Sequence, residues 1–228
     1  MILAASRPYF APYPGYFQKA ILADLFVILD SVQFPRGTTW LTRNRFKNDQ
    51  GTLWMTIPVQ KKGLGLQPIQ VVRICREGRW CHKHLQSLKQ AYGHAPYFGE
   101  HIAALADGLG ADSNRLIDLN MRLIGYLMHQ LGIATPLVRL SELRIRSAGT
   151  QLLIDICRRV GASVYLAQRS ARSYLDAGLF AAAGIELSFF TPPAAVYPQL
   201  WGDFIRDLSA FDLLFNCGPK ARDVMRGK

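Results

Sequence analysis

Between residues 30 and 47 the chain gathers Asp30, Gln33, Arg43, Asn44, Arg45 and Lys47, with Phe34, Trp40 and Phe46 interleaved. A carboxylate such as Asp30 can take a proton from an attacking amine or hydroxyl. Guanidinium groups fork onto phosphate or carboxylate, so Arg43-Asn44-Arg45 is a dense set of donors for an anionic ligand. The competing reading is a solvated strand pair with alternating faces. Asp30, Gln33 and the basic triplet all follow one apolar run, which favours the site.

A second set lies at the start, in PYFAPYPGYF at residues 8–17. Tyrosines offer a flat face and a hydroxyl, so Tyr9 and Tyr16 can stack and bond a base or sugar. Gly15 lets a ligand approach the backbone. A helix beginning near Pro14 would aim free N–H groups at an anion. Arg7 and Lys19 flank the stretch and add positive charge. The alternative is that these rings are core and the prolines shape a turn.

Other polar residues stand in apolar surroundings. Asn120 shares a helix face with Leu116, Leu123, Ile124 and Leu127, and an unpartnered buried amide costs about 1–3 kcal/mol. Its partners are either a ligand or the fold itself. His84 can act as a general base because an imidazole titrates near neutrality. Gln199 follows Tyr197-Pro198, while Asp212 and Asn216 are one helical turn apart and can face one pocket. Cys217 is a third candidate for covalent or acid–base chemistry, but the negative end of a helix dipole disfavours a thiolate there.

These residues need elements to position them. ILAA (2–5) and LFVILD (25–30) read as buried strands, joined by a helix over 13–23 into a βαβ unit. TLWMTIPV (52–59) and PIQVVRI (68–74) read as further strands. Helices are expected over 80–92, 112–132 (capped by Asp112 or Ser113 and ended by Gly132), 150–161 and 208–218, with strands at 163–167 and 185–190. The alternation predicts an α/β fold, Rossmann-like, with a mostly parallel sheet and flanking helices. One domain over residues 1–228 is expected, with a helical subregion over 80–132. Ligands of such sheets bind outside the carboxyl ends of the strands, where Asp30 and the 6–13 loop would meet.

The chain has 228 residues, 50% apolar and 19% charged, which fits a globular protein with a sizeable core. Its net charge of +11 is spread over both halves and favours an anionic partner: a nucleotide-linked or other small anionic substrate, a nucleic acid or an acidic carrier. No apolar stretch approaches the about 20 residues that cross a bilayer, and MILAA is too short for the core of an export signal. A cytoplasmic protein without membrane insertion is expected. Cys75, Cys81, Cys157 and Cys217 include no C-x-x-C pair. Neither a metal nor a cofactor is expected.

In its spaced motifs the chain resembles the WbqC-like family. They are RPYFAPYPGYF (7–17), LFVILDSVQF (25–34), TRNRFK (42–47), LWMTIPV (53–59), WCHKH (80–84), IDLN (117–120), SYLD (173–176), YPQ (197–199) and DLLFNCG (212–218). The resemblance adds Tyr174, within SYLD, to the substrate-binding set. Departures are Arg7, where the family has glutamine, Asp30-Ser31, where it usually has two acids, and AQRSAR at 167–172. Family members occur in gene clusters for O-antigen and other surface polysaccharides. The resemblance implies transfer of an acyl or aminoacyl group, such as glycine, to an amine on an amino sugar. The donor would be an activated acyl group, on a carrier protein or tRNA among others. A fold-level analogy with nucleotidylyltransferases gives one alternative. An RNA-binding protein, suggested by the charge and by residues 34–47, is another.

Overall fold

The computed structural model describes residues 1–110 and 113–227. In chain order its strands and helices are β1 (Ile2–Ser6), α1 (Pro14–Ile21), β2 (Leu25–Ile28), β3 (Arg43–Asn48), β4 (Gly51–Thr56), α2 (Trp80–Tyr92), α3 (Phe98–Gly110), α4 (Leu116–Gln130), β5 (Leu137–Arg139), α5 (Leu140–Leu143), α6 (Gly149–Val160), β6 (Val164–Gln168), α7 (Ala177–Ala182), β7 (Glu186–Phe190), α8 (Ala210–Cys217) and α9 (Ala221–Met225). The chain folds as two compact units: Met1–Arg7, Gly15–Val32 and Ile133–Pro193 form the first, and Pro8–Pro14, Gln33–Gly132 and Ala194–Lys228 the second.

The first unit is an α/β fold. Its sheet runs β5-β2-β1-β6-β7, and every neighbouring pair is parallel. The strands are short apolar runs because helices cover both faces, leaving no face that water selects for polar residues. β1 is central: Leu3 aligns with Leu25 on one side and with Tyr165 on the other. The chain travels outward through β2 to β5, then returns across β1 to β6 and β7. The order therefore reverses at the β1/β6 boundary, the place where Rossmann-like sheets open a crevice at the carboxyl ends of their strands. Leu3, Val27, Ile154, Ile156, Tyr165 and Phe180 build the core here. Gly161, at φ 72°, ends α6 in the left-handed conformation that glycine adopts without strain.

The second unit holds the antiparallel β3–β4 hairpin and a set of helices. α2 spans the predicted 80–92, α4 falls inside 112–132, and α3 lies between them within the expected helical subregion. Phe98 and Tyr92 pack edge-on or tilted against Phe215, and Tyr126 stacks on Phe211. Only a glycine fits at 218: its φ is 49°, and a Cβ would lie 2.5 Å from the Tyr97 ring.

Two expectations need correction. PIQVVRI is not a strand: it holds a single 3₁₀ turn, Ile69–Val71, with isolated bridges from Pro68 to Gln33 and from Ile74 to Val59. Apolar residues alone do not make a strand without a continuous partner. The helix expected from 112 starts at Leu116 without a side-chain cap. Ser113 Oγ instead donates to Asp118, and Asp112 lies outside the described residues. No helix among the described residues is long and apolar enough to cross a membrane.

Candidate active site

The predicted site residues divide between the units. Arg7, Gly15, Tyr16, Lys19, Asp30 and Tyr174 belong to the first, and Tyr9, Gln33, Arg43, Asn44, Arg45, Lys47, His84, Asn120, Gln199, Asp212, Asn216 and Cys217 to the second.

In the first unit the chemistry collects at the carboxyl end of β1. Lys19 sits in the last turn of α1, whose axis runs back alongside β1. Long helical side chains lean toward the helix N-terminus. The Lys19 amine is thereby carried back to the end of the strand. It donates to the Ala5 carbonyl at 2.7 Å and shares a short hydrogen bond with Ser6 Oγ. Lys19 is only 6% exposed, and its ammonium also lies over the Phe26 ring, 5.5 Å from the centroid. Burial lowers its pKa from 10.5 to about 7, and no carboxylate among the described residues opposes the shift. An amine in such a place exchanges its proton near neutral pH. It can therefore both take and give one.

Asp30 is close in sequence to this edge but is fully engaged. It is 1% exposed; its two oxygens accept from the Ser141 backbone N–H at 2.9 Å and from Ser141 Oγ at 2.6 Å. The carboxylate thus fastens the end of β2 to the first turn of α5. Tyr16 is a core ring, edge-on to Phe17 and Phe26 at 5.3 Å. Gly15 is buried in the first turn of α1, Arg7 is exposed just beyond β1, and Tyr174 is exposed after a 3₁₀ turn, Arg169–Ser173. An open cleft of about 410 Å³, lined by Leu143, Arg144, Ile145, Asp155, Arg158 and Arg159, was not foreseen from the sequence.

In the second unit most predicted ligand-binding groups bond to the protein itself. The Asn44 amide donates to the Phe10 and Ala11 carbonyls at 3.0 and 2.7 Å, and that of Asn120 to Pro8 and Leu41 at 2.7 and 2.9 Å. The two amides clamp the 8–12 loop, including Ala11 at a strained φ of 41°. Tyr9 is half-buried in that loop. Asp212, with no exposed surface, accepts from Tyr92 at 2.5 Å and from Tyr197 at 2.7 Å. Burial raises its pKa, and the two phenol hydrogen bonds and the Lys47 charge oppose the rise. Lys47 donates to the Asp203 carbonyl at 2.6 Å and to Gln199 Oε1 at 3.2 Å, while Asn216 donates to the Asp212 carbonyl at 2.8 Å. This is a closed polar core.

The remaining groups are more open. Trp40 and Trp54 stack at 5.8 Å, 43% and 42% exposed, with the Arg43 guanidinium 4.0 Å from the Trp54 centroid. Arg45 lies 5.9 Å from Trp40 and donates to the Arg206 and Asp207 carbonyls. Gln33 is exposed, and the His84 Nε2 lies 2.9 Å from the Thr56 carbonyl. Burial, and then the charge of Asp212, pushes the Cys217 thiol up to about 11, so it stays protonated at neutral pH. Among the described residues no group of three or more His, Cys, Asp or Glu side chains is placed to hold a metal ion.

Lys19 stands among the expected substrate-binding residues; Ser6, a small residue at the end of an apolar strand, carries no such signal in the sequence. The comparison with solved structures finds no match. An uncharacterized protein of Mycobacterium tuberculosis, Rv1507c, is 35% identical over 220 residues, covering 95% of this chain and 94% of its own. Residues 7–224 match the WbqC-like protein family, and the chain belongs to that family.

Proposed function

We propose that this protein is an acyl or aminoacyl transferase with an amine acceptor. The observation that carries the proposal is the buried Lys19 amine at the carboxyl end of the central strand, with a pKa of about 7 and a hydrogen bond to Ser6. An attacking amine must lose a proton as it forms the amide, and a group that titrates near neutrality is suited to take it. This role replaces the one expected of Asp30, whose oxygens are committed to Ser141. The family setting in surface-polysaccharide gene clusters favours an amino sugar on a nucleotide as the acceptor and glycine or another small acyl group as the cargo. The donor is an activated acyl group, such as an adenylate, a carrier thioester or an aminoacyl-tRNA. The reaction is assigned to the cytoplasm, where such donors are made.

The test incubates the full chain with a uridine-diphosphate amino sugar and each donor class, and follows the mass of the sugar. Acylated sugar is expected with one donor, and Lys19→Met should slow its formation by about 10²–10⁴-fold. A second reading, single-stranded RNA binding, is favoured by the exposed Trp40–Trp54 pair with Arg43 beside it. Tight RNA binding that weakens steeply with salt, with no acylation from any donor, would overturn the transferase.

A further inference from the structure

We propose that Ser6 is the covalent relay of the transfer, with Lys19 moving its proton; this rests on the transferase reading above. Ser6 is the last residue of β1 and is half-buried. β1 pairs with β6 through Ala4 and Leu166, a register that carried onward sets Ser6 level with Gln168 at the point where strand order reverses. A serine hydroxyl is a weak nucleophile unless a base shares its proton. Lys19 Nζ holds the hydrogen bond to Ser6 Oγ and is oriented by its second bond to the Ala5 carbonyl. A neutral amine has two N–H groups and one lone pair. With one N–H on Ala5, the lone pair can face the Ser6 hydroxyl.

The surroundings support a neutral amine. Lys19 is buried, and burial alone accounts for its lowered pKa. The ion pairs among the described residues are Arg115–Asp118 and Arg206–Asp207, neither of which touches it. Three thiols are held protonated: burial raises Cys157 to about 12, Cys217 to about 11, and Cys81 above its usual value.

Two balanced steps follow. Ser6 Oγ attacks the carbonyl carbon of the donor and passes its proton to Lys19. The ester bond forms, the bond to the donor's leaving oxygen or sulfur breaks, and the leaving group takes the proton from Lys19. The acceptor amine then attacks the ester carbon and gives a proton to Lys19. The amide bond forms, the bond to Ser6 Oγ breaks, and Ser6 recovers its proton from Lys19. No oxidant or reductant is needed.

The test uses p-nitrophenyl acetate as an activated ester, without acceptor. The expected result is a burst of p-nitrophenol and one acetyl group on Ser6, mapped by peptide mass spectrometry and removed by hydroxylamine. Lys19→Met should slow the burst by about 10²-fold or more. Ser6→Ala should abolish it, and Ser6→Cys should trap the group as a thioester. An acetyl group on Lys19 Nζ, or none on Ser6, overturns the relay. So does a Ser6→Ala protein that acylates the amino sugar at the wild-type rate, which would leave direct transfer standing. An acetyl-Ser6 that forms but passes to no amine would leave Ser6 a nucleophile, overturn its role as a relay to amines and sink the transferase reading.

Discussion

Among the described residues two lysines are buried, and they differ in what surrounds them. Lys47 in the second unit is 2% exposed, but the charges of Asp212 and Asp203 oppose the lowering of its pKa by burial. Its donors are spent on a carbonyl and an amide oxygen. Lys19 in the first unit has a carbonyl and a hydroxyl, and no acid among the described residues to hold its proton. A buried ammonium with a counter-charge is a fixture, costly to break but chemically inert. A buried amine without one is poised between two protonation states. Perturbation of this second kind, at the end of a parallel strand, is where proton transfer is sought.

The largest expected effect lies in the fixed network. Asp212→Ala removes the acceptor of two buried phenols and the nearest counter-charge of Lys47. Losing one member of a buried charge network costs about 3–5 kcal/mol, because the partners stay buried without it. Urea unfolding should show that loss, while Asp212→Asn, which keeps one acceptor, should recover part of it. A loss below about 1 kcal/mol would mean the phenols and Lys47 find water, and the contrast between the lysines would fail.

The next effect is a dependence on pH. Lys19 has a folded pKa near 7 against 10.5 in the unfolded chain. Between those values the unfolded chain binds more protons, so stability rises with pH there. The burial penalty is fully present below pH 7 and is relieved as pH climbs toward 10.5. Wild type should therefore gain on Lys19→Met by at most about 1.4 kcal/mol per pH unit across that window. Turnover should rise through about pH 7 as Lys19 loses its proton, and Lys19→Met should flatten that limb. A stability difference between the two proteins that does not change from pH 7 to 9 would show that Lys19 keeps an ordinary pKa.

Most of the sheet was legible because a buried parallel strand is written as a short apolar run between turn signals. β1, β2, β6 and β7 all read that way. β5 has three residues and leaves no such run. α3 carries Gly99, Gly108 and Gly110, which weaken a helical reading, yet Gly108 lets α3 approach α4 closely: a Cβ there would lie 2.7 Å from Leu123 Cδ2, which would have to turn aside. PIQVVRI resembles a strand because Ile69, Val72 and Ile74 are buried, yet its 3₁₀ turn packs on helix α4 with only isolated bridges beside it. The polar residues were legible as unusual, but their partners were not. Asp212 meets Tyr92 from 120 residues away, and Asn120 meets Pro8 from 112. Sequence spacing carries no trace of such pairs.

The smallest expected effect concerns the exposed end of the second unit, where Arg43 lies over Trp54 and Trp40 stacks beside it. A cation over an exposed indole contributes about 0.5–1 kcal/mol. Arg43→Gln should therefore lower the unfolding free energy by no more than that, far less than Asp212→Ala. It should leave acylation of an amino sugar unchanged if transfer runs at the Lys19 edge. If the tryptophan pair grips RNA, the same variant should weaken a single-stranded oligonucleotide at every salt concentration and reduce the salt slope by about one phosphate contact. Measuring both on one preparation separates the readings. Loss of transfer with unaltered stability would place Arg43 in the catalytic machinery and end the contrast between a reactive first unit and a structural second one.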